Sequence, residues 1–156
     1  MTIFVTGASG LVGSAFVRAA TRRKHRVVGT VGSFTRRIQG RVEKRTVDLT
    51  REGLTSGAVF EIFPGAIVNC AAVAAPEACE ADPARSRTLN VSLPTRLAQL
   101  AHHLHVRLVP LSSEQVFSGA QTTRHRVDDV LSPFNDQLAE LNVPPPARDW
   151  YRGLPA

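Results

Sequence analysis

An α/β domain, with one parallel sheet covered by helices on both faces, is the fold this sequence predicts. Three observations carry that expectation. The chain opens with an apolar run, Thr2-Ile3-Phe4-Val5, followed at once by Thr6-Gly7-Ala8-Ser9-Gly10-Leu11-Val12-Gly13 and then by a segment of helical spacing, Ser14–Ala20. Short apolar segments then alternate with helical ones along the chain. Several of the apolar segments lack the polar alternation of a half-exposed strand, as expected for strands buried on both faces. Together these imply a doubly wound, three-layer α/β/α sheet of the Rossmann type, with right-handed crossovers and strand order 3-2-1-4-5.

The elements follow in order. After the first helix, whose end carries Arg22, Arg23 and Lys24 where cations suit a helix C-terminus, His25–Val31 reads as a second strand. Arg41–Leu49 reads as a shorter third strand ending in Asp48-Leu49-Thr50. A modest helix over 51–62 is weakened by two glycines and stopped at Pro64-Gly65. Ala66–Ala72 is too apolar for a half-exposed strand and is expected as the fourth, buried one. Asp82-Pro83 forms a cap and first position for a long helix to about His103, with Leu89, Leu93, Leu97, Leu100 and Leu104 on one face. Pro94 kinks that helix or restarts it after Ser92. Val106–Leu111 is the fifth strand, ending at Ser112-Ser113.

A chain of 156 residues, 43% of them hydrophobic, fits one core and argues against global disorder. No run approaches a membrane span, and the first strand begins at once, so a cytoplasmic protein without a leader is expected. Cys70 and Cys79 are expected as reduced thiols, one buried and one in a loop, with no zinc-like spacing. The net charge is +6, and 11 of the 19 Lys and Arg lie in residues 1–51 against two acids, Glu43 and Asp48. No aromatic interleaving or nucleic-acid module accompanies that excess, so a solvated basic face is preferred over a nucleic-acid surface.

The opening turn has the chemistry of a pyrophosphate cradle. Gly7 permits the tight turn, Gly10 lets the backbone approach the phosphates, and Gly13 lets the helix lie close to the sheet. The helix start offers free N–H groups and a partial positive charge to an anion.

Four segments make the chain resemble the extended short-chain dehydrogenase/reductase family. The nearest branch is that of dTDP-4-dehydrorhamnose reductase, whose relatives include a regulatory subunit of methionine adenosyltransferase. They are the glycine turn (Thr6–Gly13), Asp48-Leu49-Thr50, Val68-Asn69-Cys70-Ala71-Ala72-Val73, and Ser112-Ser113-Glu114-Gln115-Val116-Phe117-Ser118-Gly119. The resemblance covers about residues 1–119. It implies a nicotinamide dinucleotide held by Gly7, Ser9, Gly10, Leu11, Val12 and Gly13, by Asp48 and Leu49 at the adenine, and by Cys70, Ala71 and Ala72 beyond the pyrophosphate. Asn90 fits the family's helix asparagine. The implied substrate is a 4-keto nucleotide sugar, and Ser113 matches the residue that polarises its ketone.

The residues refine this. Beyond the second strand, Ser33, Arg36 and Arg37 stand where NAD-preferring sites place a carboxylate, and guanidinium groups there suit a ribose phosphate. NADP(H) is therefore preferred over NAD(H), the alternative being that both arginines only solubilise a loop. The proton donor of the family, a Tyr four residues before a Lys, has no counterpart: Tyr151 is followed four positions on by Pro155, and the lysines are Lys24 and Lys44. Residues 1–136 are expected as the dinucleotide domain. Residues 137–156 read as a helix remnant and a proline-rich tail, the substrate lobe being absent through truncation or a shifted frame. The chain is expected to be nearly inactive alone. A non-catalytic NADP(H)-binding module that binds a partner enzyme is the competing expectation, and a homodimer is a candidate cover for the sheet edge. His102, His103 and His105 lie at a helix end that favours imidazolium, so no metal is expected. Ser112-Ser113 lacks the Gly-x-Ser-x-Gly elbow of a hydrolase, and Glu114 reads as a solvated loop carboxylate.

Overall fold

A five-stranded parallel sheet in the order β3-β2-β1-β4-β5 organises the chain. The computed structural model describes residues 1–32, 38 and 41–112, and Met1–Leu111 form one compact unit. The strands are β1 (Thr2–Thr6), β2 (Arg26–Thr30), β3 (Val42–Arg45), β4 (Ala66–Asn69) and β5 (Arg107–Pro110). The helices are α1 (Leu11–Arg22), α2 (Glu52–Ile62), α3 (Pro76–Ala81), α4 (Pro83–Arg87) and α5 (Leu93–His103). The expected strand order is thus the observed one.

Alternation along β1 separates two cores. Ile3 and Val5 face α1 and pack with Val17, Ala20, Val27 and Val68. Phe4 faces the opposite way and packs with Val28, Val59 of α2, Ile67, and Leu93, Leu97 and Leu100 of α5. Each fully buried side chain of this size contributes roughly 1.5–3 kcal/mol relative to exposure, so the central strands carry most of the stability. All four residues of β4 are buried, whereas β3 and β5 at the edges are half-open. Charge protects the β3 edge, where Arg26, Glu43, Arg45 and Glu61 form a chain of ion pairs at 2.7–3.1 Å.

Several boundaries differ from the sequence reading, among them β5, which runs Arg107–Pro110 rather than Val106–Leu111. β2 begins at Arg26 rather than His25, because the first helix ends in a tight turn with Lys24 at φ 60. β3 stops at Arg45, and Thr46–Leu49 run on as loop, since β2, its one neighbour, also ends at Thr30. β4 stops at Asn69, and the backbone of Cys70–Ala72 turns away to meet the glycine turn. The expected long helix is three pieces. Asp82 does cap it, its carboxylate accepting from Arg85 N at 3.0 Å with Pro83 first in α4. A wide turn of π-helical geometry, Thr88–Ser92, then separates α4 from α5. Pro94 sits in the first turn of α5, where its missing N–H costs least. Cys79 also differs: it lies on the short helix α3, half-buried, with its thiol donating to the Val73 carbonyl at 3.3 Å.

Candidate functional site

The C-terminal ends of β1 and β4 meet at the point where the chain winds first to one side of the sheet and then to the other. Open α/β sheets place their ligand crevices there. Gly7 has φ +62, and a Cβ on it would lie 2.8 Å from the backbone of Cys70 and Ala71. The first turn therefore presses directly on the exit of β4. A Cβ on Gly13 would lie 2.2 Å from the Gly7 carbonyl oxygen, so this glycine lets the helix close on the turn itself rather than on the sheet. At Gly10 the nearest atom would be the Gly7 oxygen at 3.3 Å, and Gly10 faces solvent. Its lack of a side chain keeps the outer surface open.

The turn is held from below by three hydroxyl and amide side chains that sequence reasoning missed. Gly7 N donates to Thr30 Oγ1 at 3.1 Å, and Ala8 N donates to the Thr30 carbonyl at 3.0 Å. Thr6 Oγ1 donates to Asn69 Oδ1 and accepts from Ala71 N at 3.3 Å. All three side chains are buried, and burial makes each bond costly to leave unmade. Only their position as the last residues of β2, β1 and β4 could have marked them.

The start of α1 is bare. Gly10 is its N-cap, no side chain caps the first amides, and no acid lies in the first turn. Gly10 N bonds to Gly7 O and Ser14 N to Gly10 O, leaving the N–H groups of Leu11, Val12 and Gly13 for an anion. Leu11 is 85% exposed and Val12 52%, apolar side chains that flank this mouth in water. Ser9 is buried in the turn. A group with two linked phosphates fits this cradle, because the turn combines uncapped amides, a first helical turn without an acid and a surface without a Cβ at Gly10.

Asp48 is exposed beyond the end of β3. Its carboxylate accepts from the Thr50 hydroxyl at 2.6 Å and from Thr50 N at 3.0 Å, which holds it below the ordinary carboxylate range. Leu49 packs against the core beneath α2 and α5. Cys70 is half-buried, and burial pushes its thiol up to about 11, so it is neutral near pH 7. Ala71 packs against the core and Ala72 is exposed. Asn90 lies in the wide turn and grips the loop after β4 with both ends of its amide. Its Oδ1 accepts from Val73 N at 2.8 Å and its Nδ2 donates to Val73 O at 2.9 Å. That amide is committed to the backbone, and it fixes Val73 in the loop after β4. Ser33, Arg36, Arg37 and Ser113 lie outside the described residues, as do Glu114 and the tail. Among the described residues, no three His, Cys, Asp or Glu side chains gather as a metal site would require, and no helix is long and apolar enough to cross a membrane.

Comparison with known proteins agrees with this fold. The chain superposes on a hypothetical dTDP-4-dehydrorhamnose reductase from Sulfolobus tokodaii with a TM-score of 0.75, at 23% identity over 90% of this chain and 51% of that one. It is similar to WbmG of Bordetella bronchiseptica in complex with NAD and UDP (TM-score 0.70, 21% identity, 81% of this chain and 42% of that one). It is also similar to the Bacillus anthracis dTDP-4-dehydrorhamnose reductase in complex with NADP (TM-score 0.63, 20% identity, 78% and 39%). These likenesses show the fold. In sequence it is 31% identical over 134 residues to a probable dTDP-4,6-dihydroxy-2-methyloxan-3-one 4-ketoreductase of Streptomyces antibioticus, covering 85% of this chain and 41% of that protein. It is 30% identical over 133 residues to methionine adenosyltransferase 2 subunit beta of Bos taurus, covering 85% and 38%. The chain thus spans well under half the length of either relative. The family model described as the RmlD substrate binding domain matches residues 1–137, and with that match the chain belongs to the RmlD family.

Proposed function

We propose that this chain is the nicotinamide-dinucleotide-binding part of an RmlD-type reductase of 4-keto nucleotide sugars, with NADP(H) preferred. The observation that carries the proposal is the uncapped start of α1 above a turn where Gly7, Gly10 and Gly13 each meet a different steric demand. The amides of Leu11, Val12 and Gly13 would bind the pyrophosphate, and exposed Leu11 and Val12 would cover it. Asp48 would meet the adenine side, with Leu49 shaping that wall from within the core. Cys70, Ala71 and Ala72, fixed by Thr6 and Asn90, would line the crevice beyond the phosphates. Neutral Cys70 serves there as a small apolar surface rather than as a nucleophile.

Solved relatives in complex with NAD and with NADP support a nicotinamide group, which supplies hydride when bound. Ser33, Arg36 and Arg37 support the phosphorylated form by composition. Ser113 would hold the ketone oxygen. Residues 1–156 contain no Tyr-x-x-x-Lys, so no residue of this chain is assigned the proton donation that the reduction needs. The chain alone is therefore proposed to bind dinucleotide without substantial turnover.

A second reading rests on the same absence. Similarity to methionine adenosyltransferase 2 subunit beta favours a module that holds NADP(H) and contacts a partner enzyme. Both readings share the dinucleotide site and differ in whether a 4-keto sugar nucleotide is consumed. Fluorescence titration with NADPH and NADH tests the shared part: NADPH should bind more tightly. Tighter NADH would remove the role given to Arg36 and Arg37, and no binding of either would overturn both readings. Turnover of a 4-keto sugar nucleotide by the pure chain would reveal a proton donor not assigned here.

A further inference from the structure

Helix α5 turns Leu93, Leu97 and Leu100 into the core, and beside that stripe it sends a charge into its contact with α2. The Arg96 side chain is 11% exposed and its Nε lies 3.3 Å from Glu52 Oε1, whereas the Glu52 side chain is 75% exposed. Neither Nε nor Nη1 of Arg96, both shut off from solvent, makes a hydrogen bond among the described residues. Buried polar groups left unmatched cost stability, and a methionine would fill the same space without that cost. The pair is therefore a poor stabiliser of the fold, and its use lies in what it holds in place.

What it holds is the start of α2, which its own sequence secures weakly. Arg51 stands at the N-cap, no side chain caps the first amides, and Gly53 and Gly57 lower the helix propensity. The turn before the helix carries Asp48 and Leu49 and is bonded to it as one piece. Thr50 donates to Asp48 Oδ1 through both its N–H and its hydroxyl. Arg51 N donates to Asp48 O at 3.1 Å, and Thr55 N to Arg51 O at 3.2 Å. Leu49 packs beneath α2 and α5, a non-directional contact that sets the depth of the turn but not its heading. Glu52 follows directly, so its pair with Arg96 ties the whole turn to α5. The other side-chain contact on this side, Phe60 with the His103 ring edge-on at 6.3 Å, lies two helical turns away and leaves the first turn to Arg96. We infer that Arg96 is a positioning residue: through Glu52 it fixes the Asp48–Leu49 turn against α5 and so sets the wall proposed to meet the adenine. This role rests on the dinucleotide reading of the glycine turn and adds to it a residue that touches no ligand.

The partners differ in burial, so removing each in turn separates positioning from structural support. Arg96→Met leaves Glu52 in solvent, and the thermal midpoint of the full chain should stay the same or rise. Glu52→Ala strands a buried guanidinium and should lower the midpoint by about 4 °C or more. Both break the tie, so both should weaken NADPH binding by about threefold or more, read by fluorescence titration where each variant is fully folded. Arg96→Lys keeps a cation for Glu52 and should recover part of that affinity. In an Asp48→Ala background, Arg96→Met should add less than about a further twofold loss, because the group it positions is gone. A midpoint that falls with Arg96→Met would make the residue a structural prop and overturn the inference. So would wild-type affinity in Arg96→Met, or full additivity with Asp48→Ala. Failure of the wild type to bind NADPH would overturn the dinucleotide reading itself and this role with it, an outcome distinct from any seen only in the variants.

Discussion

Helices α1 and α2 both leave apolar groups in water, but in different places. α1 is strongly two-sided, burying Gly13, Ser14, Val17 and Ala20, and its exposed large apolar side chains are Leu11 and Val12 in the uncapped first turn. α2 shows no such division and exposes apolar side chains along its length. Exposure at a helix mouth beside free amides suits a ligand that is part anion and part ring. On α2 the exposed large side chains are Leu54 and Phe60, and Phe60 meets the His103 ring of α5 edge-on with centroids 6.3 Å apart. The glycines follow the same division: Gly7 and Gly13 are enforced by neighbouring backbone, while Gly53 and Gly57 stand in open space.

Substitutions at these glycines sharpen the contrast most. Gly13→Val places carbon 2.2 Å from the Gly7 oxygen, and a loss of about 3 kcal/mol or more is expected in urea unfolding. The same measurement on Gly57→Ala should show a gain of roughly 0.5–1 kcal/mol, because a helix former replaces glycine in open space. If the two changes had similar effects, the distinction between an enforced turn and an open face would fail.

Between those extremes lies the loop after β4. Asn90→Ala removes both bonds to Val73 and should cost about 1–3 kcal/mol, with weaker dinucleotide binding as the loop loses its anchor. Asn90→Asp keeps the acceptor for Val73 N but offers no amide donor to Val73 O, so its binding should fall between wild type and the alanine variant. Unchanged affinity in both would separate the clamp from the site.

The smallest expected effect is a pH dependence from Cys70. Burial holds the folded thiol at about 11, above the ordinary thiol value of 9.0, so the unfolded chain loses this proton first as pH rises. Stability is therefore unaffected by this group below about pH 9 and declines between about 9 and 11. Cys70→Ala should lose less stability than wild type across that window, measured by thermal unfolding at fixed ionic strength. Equal slopes would mean that the thiol is better solvated than its place behind the glycine turn implies.

Much of this architecture was legible in the residues because its causes are local. The Gly7, Gly10 and Gly13 spacing announced the turn, and the run Leu93, Leu97, Leu100 announced the buried face of α5 before any coordinate was needed. The knots that hold the crevice were not legible, because they join residues far apart in the chain. Thr6 reaches Asn69 and Ala71, Thr30 reaches Gly7, and Asn90 reaches Val73. Nothing in a single threonine says which strand end will lie beside it. The wide turn at Thr88–Ser92 escaped for a related reason: one extra residue in a helical turn leaves the leucine periodicity almost intact, and Pro94 accounted for a break without it.

The mouth of α1 is tested most directly by one paired experiment. Thermal unfolding of wild type and Gly10→Val, each with and without NADPH, separates folding from binding. The valine Cβ meets only the Gly7 oxygen at 3.3 Å, so the variant should fold with a loss of about 1 kcal/mol. Wild type should gain about 2.7 kcal/mol when NADPH is at roughly a hundred times its dissociation constant, and the variant should gain nothing. Equal stabilisation of both by NADPH would contradict the assignment of that turn as the dinucleotide site.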